Sequence, residues 1–557
     1  MSTETVLSPV EHIKKRSNYL RGTIVESLAN PLTGALAEDD TQLSKFHGFY
    51  QQDDRDIRAE RTRQKLEPAY SFMIRVRVPG GIATPAQWLA LDSLATTHAN
   101  HTLRLTTRQA FQFHGVTKKN LKTTIRGIND SLLDTIAACG DVNRNVMCTP
   151  LAERSVVHEA AYKTAVAIGE HLLPRTLAYH EIWLDGKRIE GTADREPIYG
   201  DTYLPRKFKI ALAIPPSNDV DVFAHDLSFI AIEKNGELAG FNVLVGGGMG
   251  ATHGEADTYP RVADVIGYCT AKQAVAVAEQ VVAVQRDFGD RSNRKHARLK
   301  YTIDDRGLDW FREALFERLG FPLASPEPFE FQARGDQFGW LEDRHGRWHL
   351  TLFVPEGRIR DTEHHRVLSG LREIARIHKG DFRLTPNQNL IVSNIADEDR
   401  PAIERLLDEH GIQQLQSISP LRQQALACVA LPTCGLAMAE AERYLPELTA
   451  KVEGLLERQG LAGENISLRI TGCPNGCARP YLAEIALVGK APGRYNLFLG
   501  GDAEGRRLNR LAEENVDEPR ILTVLEQLFE RFAETRNDGE SFGDFAARTA
   551  FSAVEKN

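Results

Sequence analysis

The 557-residue chain has no apolar stretch of membrane-spanning length. Its longest, Ala425–Ala439 (ALACVALPTCGLAMA), is shorter than the roughly 18 residues a spanning helix needs and carries a proline and two cysteines. Basic excess is also missing: 68 Lys+Arg against 76 Asp+Glu gives a net charge of -8, so no chain-wide field favours nucleic acid, and any anion site must be local. The N-terminus, MSTETVLSPVEHIKKRSNYL, has an acid at Glu4 and no apolar core, so it lacks the pattern of a cleaved leader and predicts a cytoplasmic protein. Cysteine is scarce and odd in number, seven in all, which points away from a disulfide framework. What remains is ordinary soluble composition, 42% hydrophobic and 26% charged, and the length predicts about three or four domains.

The chain repeats itself. FMIRVRVPGG near residue 75, a helical segment beginning TPAQWLALDSLA, and LRLTTRQAFQFHG are echoed by HLTLFVPEGR, HHRVLSGLREIARI and FRLTPNQNLIVSN. Arg104-Leu105-Thr106 matches Arg383-Leu384-Thr385, and Gln109 matches Gln388, at one constant offset. Thr84 is placed to cap a helix whose first turn holds Pro85 and whose Trp88, Leu91 and Ala95 share a face. A later echo pairs FNVLVGG (Phe241–Gly247) with YNLFLGG (Tyr495–Gly501), two strands each entering a glycine turn. Extending the offset by one residue sets Cys148 against Cys428. Strands interspersed with helices make the class mixed α/β (α+β). The charged N-terminal segment lies outside the repeat and reads as an arm, a docking segment or a solvated linker.

Cys428-x5-Cys434 and Cys473-x3-Cys477 form the one dense group of thiols. Four thiolates suit tetrahedral zinc or an iron–sulfur cluster, and spacings of five and three disfavour the paired CxxC knuckles of structural zinc. The second pair sits in ITGCPNGCARPYLAEIAL, where Gly472, Pro474 and Gly476 predict a tight loop whose amides can face sulfur.

Positive charge is concentrated on strand faces. In Leu103–His114 the even positions Arg104, Thr106, Arg108, Gln112 and His114 oppose Leu103, Leu105, Phe111 and Phe113. Arg75 and Arg77 oppose Phe72, Ile74, Val76 and Val78, and Lys207 and Lys209 oppose Phe208, Ile210 and Leu212. One such face reads as a charged sheet edge, but three in an acidic chain read as an anion site. His114 reads as a core or supporting histidine. Gly246-Gly247-Gly248-Met249-Gly250 superficially resembles a dinucleotide loop, but no clear acidic residue follows at the right distance, and backbone contact with a cofactor carboxylate is the better reading.

The run Thr471-Gly472-Cys473-x3-Cys477-x6-Glu484-Ile485-Ala486-Leu487, preceded by Cys428-x5-Cys434, resembles the signature of the sulfite and nitrite reductases that couple a 4Fe-4S cluster to sirohaem. The resemblance extends over nearly the whole chain from SNYLRGTI (Ser17–Ile24) and is strongest to the haemoprotein subunits of the NADPH-dependent sulfite branch. It implies an internally duplicated fold: a ferredoxin-like repeat pair forming one composite domain from 66–136 and 339–418, α/β cofactor-binding domains at 137–338 and 419–557, and the N-terminal segment 1–65. It implies that Cys428, Cys434, Cys473 and Cys477 hold the cluster, that Cys477 also ligates sirohaem, and that Asn475 belongs to the cofactor site. Arg75, Arg144, Lys207 and Lys209 match residues that bind substrate oxygens and deliver protons, and Arg104, Arg108 and Gln112 match residues that hold sirohaem carboxylates. The second copy has lost part of this face, with Asn387 in place of Arg108 and Ile391 in place of Gln112. The implied reaction is six-electron reduction of sulfite, with electrons from a separate flavoprotein carrying FAD and FMN, favoured by KFHGFYQQDDRDIR (Lys45–Arg58), or else from a ferredoxin. Nitrite is the rival substrate, and the lysine pair of Lys207-Phe208-Lys209 resembles the sulfite branch. An iron–sulfur electron carrier without catalysis is the rival class.

Overall fold

In the computed structural model, which describes residues 6–176 and 196–551 together with the backbone of 183–184 and 187–188, each copy of the repeat builds half of one domain. Glu4 lies outside the described residues. Strand Tyr70–Val76 turns Phe72, Ile74 and Val76 into the core, all fully buried. Helix Pro85–His98 begins with a reciprocal cap: the Gln87 N–H donates to Thr84 Oγ1 at 3.2 Å, and the Thr84 N–H donates to Gln87 Oε1 at 2.9 Å. Its inner face carries Trp88, which stacks on Phe382 of the second copy with ring centroids 4.6 Å apart.

The two copies interlock by exchanging short strands. The first five-stranded sheet runs Phe49–Asp53, Tyr70–Val76, Phe111–Val116, Leu103–Leu105, and ends in Arg358–Ile359 from the second copy. The second runs Gly339–Glu342, Trp348–Leu352, Leu390–Ile395, Asp381–Leu384, and ends in Ile82–Ala83 from the first. This reciprocal exchange is why neither half stands as a domain alone.

The alternation of Leu103–His114 predicts one strand, and the structure has two. Leu103–Leu105 and Phe111–Val116 flank a turn in which the Thr106 N–H donates to Ala110 O at 3.1 Å, the Arg108 N–H donates to Thr106 Oγ1 at 3.2 Å, and Gln109 has a φ of 49°. Alternation therefore relates Arg104 and Gln112 as cross-strand partners, while Arg108 sits in the turn.

The two α/β units share one topology. Met147–Cys148, Ile210–Ala213, Leu227–Lys234, Glu237–Val245 and Asp264–Thr270 form the first sheet, and Leu426–Ala427, Leu468–Thr471, Ile485–Ala491, Arg494–Leu499 and Arg510–Val516 the second. In each, two parallel pairings are followed by two antiparallel ones. The equivalence corrects the register expected for Cys148. Gln109 Nε2 donates to Cys148 O at 2.9 Å and Gln388 Nε2 to Ala427 O at 3.0 Å, so Cys148 corresponds to Ala427 and the constant offset needs no extra residue.

The N-terminal segment packs in part against the body, but its charged stretch is solvated: helix Arg58–Arg63 buries no residue. Phe49–Asp53 is the edge strand of the first sheet. Lys14, 1% exposed, pairs with Glu11 and donates to Leu204 O at 2.8 Å.

Candidate active site

The cysteine site begins at two parallel strand ends. Cys428 follows Leu426–Ala427, and its N–H donates to Ile470 O at 3.2 Å; Cys473 lies just beyond Leu468–Thr471. Gly472 has no room for a side chain, since a Cβ would lie 2.6 Å from Ala439 O and 2.7 Å from Ala430 Cβ. Its N–H instead donates to Cys428 Sγ at 3.3 Å, and Asn475 Nδ2 reaches Cys473 Sγ at 3.5 Å. Burial, and then the Cys477 sulfur, push the Cys428 and Cys473 thiols up, and the same two causes raise Cys434 to about 11. All four are free thiols. Among the described residues no three His, Cys, Asp or Glu side chains converge tightly enough for a single ion, but the Cys434, Cys473 and Cys477 sulfurs all act electrostatically on Cys428. Cys428, Cys434 and Cys473, whose thiols resist ionisation, need metal charge to become thiolates, and together with the exposed Cys477 that donor set fits a 4Fe-4S cluster.

The glycine turn braces this loop. The Ala251 N–H donates to Pro474 O at 2.9 Å, and a Cβ on Gly476, whose φ is 63°, would lie 2.3 Å from Met249 O. Thr107 Oγ1, from the first repeat's turn, donates to Cys477 O at 3.1 Å.

The basic surface lies on the first repeat's sheet. Strand pairing lines up Arg75, Gln112, Arg104 and Arg358 in one row across four adjacent strands. Gln112, with its amide oxygen turned to Arg75, accepts from Nη2 at 2.6 Å and Nε at 3.2 Å. Arg75 Nη1 also donates to Cys139 Sγ at 3.1 Å. Arg104 departs from the sequence expectation: its guanidinium is taken by Glu442 and by Ala427 O at 2.9 Å, because that strand packs directly on the second α/β unit. Arg358 shares Glu442, at 2.7 and 2.9 Å, and donates to His114 Nδ1 at 3.2 Å, so His114 is a buried supporting residue as expected. Arg77 leaves the row and pairs with Asp134 at 2.6 Å.

Arg108 reaches from the turn to Ile210 O at 3.0 Å and to Asn145 O, leaving Nε without a partner; Arg144 Nε is likewise unpartnered. The Arg144 N–H donates to Phe208 O at 3.0 Å, which sets the Asn143-Arg144-Asn145 turn beside Lys207-Phe208-Lys209. Neither lysine ammonium has a hydrogen-bond or ion-pair partner among the described residues. Burial, then Arg206, Arg298 and Arg144, lowers Lys207 to about 7; burial, then Lys207 and Arg108, lowers Lys209. The Cys477 sulfur acts on Lys207 in the opposite sense, which places this lysine within electrostatic reach of the cysteine loop. Unpaired ammonium groups on half-buried lysines, beside orphaned buried guanidinium nitrogens, are costly without an anion, and a polycarboxylate cofactor with a small anionic substrate fits them.

Sequence patterns did not expose several residues of this site. Tyr50 lies within electrostatic reach of Cys139 and Arg144, which sets the N-terminal segment beside the pocket. Asp221, with a φ of 51°, binds Arg334 at 2.7 Å, Arg469 at 2.6 Å and Arg479. Asp226 holds Arg298 through two contacts at 2.9 and 2.8 Å. Neither aspartate sits in a recognisable motif, and only the fold supplies their arginines.

The sequence matches the family described as nitrite and sulphite reductase 4Fe-4S domain over residues 165–323, and the nitrite/sulfite reductase ferredoxin-like half domain over 63–131 and again over 341–410. The chain is 62% identical to a Myxococcus xanthus protein named as the hemoprotein beta-component of NADPH sulfite reductase, with 97% of this chain and 96% of the relative covered. A Geobacillus kaustophilus protein of the same name is 57% identical, over 97% and 95%. Among solved structures, the Mycobacterium tuberculosis NirA protein superposes with a TM-score of 0.78 at 26% identity, covering 98% of this chain and 96% of that one.

Proposed function

The chain belongs to the nitrite and sulfite reductase family, and from that premise we propose how its residues carry the reaction. It is the haemoprotein component of an NADPH sulfite reductase, an oxidoreductase that takes sulfite to sulfide with sirohaem and a 4Fe-4S cluster as cofactors. The observation that carries the residue assignment is the pair of unpartnered ammonium groups, Lys207 and Lys209, beside the Cys473–Cys477 loop.

Cys428, Cys434, Cys473 and Cys477 would hold the cluster, and Cys477 would ligate sirohaem through the same sulfur, with Asn475 supporting the loop through Cys473. When bound, this pair of cofactors supplies electrons one at a time to a single substrate atom. Sulfur passes from +4 to -2, so the pocket must retain one anion through six electrons and release each oxygen as water. Arg75, Arg144, Lys207 and Lys209 bind the substrate oxygens, and the two lysines donate protons from Nζ, a role that a lysine lowered toward neutrality performs well. Arg108 and Gln112 would hold the sirohaem carboxylates, and Arg104, matched to the same role but already joined to Glu442, would support the row that presents them.

Electrons come from an alpha-subunit partner, a flavoprotein carrying FAD and FMN that draws on NADPH, in the cytoplasm. Among the described residues no helix is long and apolar enough to cross a membrane. The test is sulfide production by protein made in sirohaem-producing cells, with reduced methyl viologen or the flavoprotein plus NADPH as donor. Lys209→Asn is expected to lower sulfite reduction by about tenfold or more while sparing nitrite reduction; equal loss on both would remove Lys209 as the discriminating residue.

A further inference from the structure

The lysine pair is held in place by a buried acid that contacts neither substrate nor cofactor ligands. Asp226, fully buried, ends the connection into strand Leu227–Lys234, which runs parallel to Ile210–Ala213. The Lys209 N–H donates to Asp226 Oδ2 at 2.9 Å, and the Leu227 N–H returns to Lys209 O at 3.2 Å, so the backbone of Lys209 is gripped from both sides. The same carboxylate takes Arg298 Nε on Oδ1 at 2.9 Å and Nη2 on Oδ2 at 2.8 Å. Its backbone carbonyl accepts from the Gly246 N–H at 2.9 Å, at the start of the glycine turn.

That turn is the other half of the argument. Arg298 Nη2 lies 3.1 Å from the position a Gly248 Cβ would take, and Lys300 donates to Gly248 O at 3.0 Å, to Gly250 O at 2.7 Å and to Tyr259 O. The far side of the turn meets the cysteine loop at Pro474 and Gly476. One carboxylate thus joins the segment bearing Lys207 and Lys209 to the backbone that supports Cys477. The charged groups that feel or touch this carboxylate are cationic: Arg108 and Lys300 electrostatically, Arg298 through its guanidinium, and Lys209 through its backbone.

We propose that Asp226 is a positioning residue for sulfite binding, fixing Lys209 through its backbone amide and, through Arg298 and the glycine turn, the separation between the lysine pair and the Cys477 loop. The inference rests on the substrate-binding role given to Lys209. Bidentate guanidinium–carboxylate geometry is stiff, and a buried pair resists rearrangement, which suits a positioning device.

The test uses the loaded full-length protein with reduced methyl viologen as donor, so that no partner docking enters. Asp226→Ala is combined with Arg298→Met to avoid a lone buried guanidinium. The double variant should keep its sirohaem and iron content, raise KM for sulfite by about tenfold or more, and change kcat by less than about threefold. Sulfite titration of the oxidised Soret band should weaken in parallel. Asp226→Asn, which retains an acceptor for the Lys209 amide, should fall between. If the double variant does not load its cofactors, Arg298→Lys, which keeps the charge without the two-point grip, should show the same KM rise. KM and Soret affinity within about twofold of the parent in the variant that loads would overturn the proposal. In a Lys209→Met background, Asp226→Asn should add little, and a full multiplicative loss would overturn action through Lys209. Lys209→Met with unchanged sulfite affinity would instead sink the role of the lysine itself.

Discussion

Asp221 is a single carboxylate beneath three guanidinia, and replacing it by asparagine should loosen the centre of the molecule in a measurable way. Asp221, Arg469, Arg479 and Arg334 are each at most 5% exposed at the side chain. Burial alone would raise the Asp221 carboxyl; Arg334, Arg469 and Arg479 overcome this and hold it well below the usual carboxylate range. Arg479 passes the restraint on: it donates to Thr107 O at 3.2 Å in the first repeat's turn, and to Pro386 O at 3.0 Å and Asn387 Oδ1 at 2.9 Å in the second's. Removing one partner of a buried ion pair costs about 3–5 kcal/mol, and here the loss leaves three buried cations without a carboxylate. At about 1.4 kcal/mol per tenfold, local opening should rise by roughly 100-fold to 3,000-fold. Native-state hydrogen exchange on peptides covering 105–110, 384–389 and 476–483 reads this directly. Adding Arg334→Met should recover part of the protection by removing one uncompensated charge. Exchange within about threefold of the parent in all three peptides would refute the reasoning, because it would mean that the carboxylate does not hold the turns together.

Three further outcomes follow from the geometry. Gly476→Ala places a Cβ against Met249 O at a left-handed backbone position, so iron content should fall severely; parent-like loading would contradict the close packing of turn on loop. Asp219, raised to about 7 chiefly by burial, binds its proton more tightly folded than unfolded, so its contribution to stability is full below about pH 4 and is lost as pH rises to about 7. Asp219→Asn in cofactor-free protein should remove that fall, which corresponds to about 4 kcal/mol and is seen as Tm against pH; an unchanged slope would deny that Asp219 is its source. Cys477→Ser should abolish magnetic coupling between haem and cluster together with sulfite turnover, and normal turnover would refute the shared-sulfur assignment.

Much of this was legible in sequence wherever a local rule matched the tertiary demand. The repeat offset, the Thr84 cap and the cysteine spacing each state a local geometry that the fold keeps. The alternation at Leu103–His114 concealed a turn because Thr106 and Gln109 break the strand without glycine or proline. Arg104 was placed on the right face, but Glu442, 338 positions away, takes its charge. Gly246–Gly250 reads as backbone contact with a cofactor carboxylate in preference to a dinucleotide loop, and nothing in its sequence signals the close approach to the cysteine loop and to Arg298. Asp221 and Asp226 had no signal in sequence, since a buried carboxylate is recognisable only once the fold has gathered its arginines around it.

The most direct measurement is the visible spectrum of protein purified from cells that make sirohaem, recorded before and after addition of sulfite. A Soret band with long-wavelength chlorin-like absorption that shifts on sulfite addition is the predicted result. A protein with four irons per chain but no such bands would contradict the account, leaving an iron–sulfur carrier whose unpaired lysines serve no substrate.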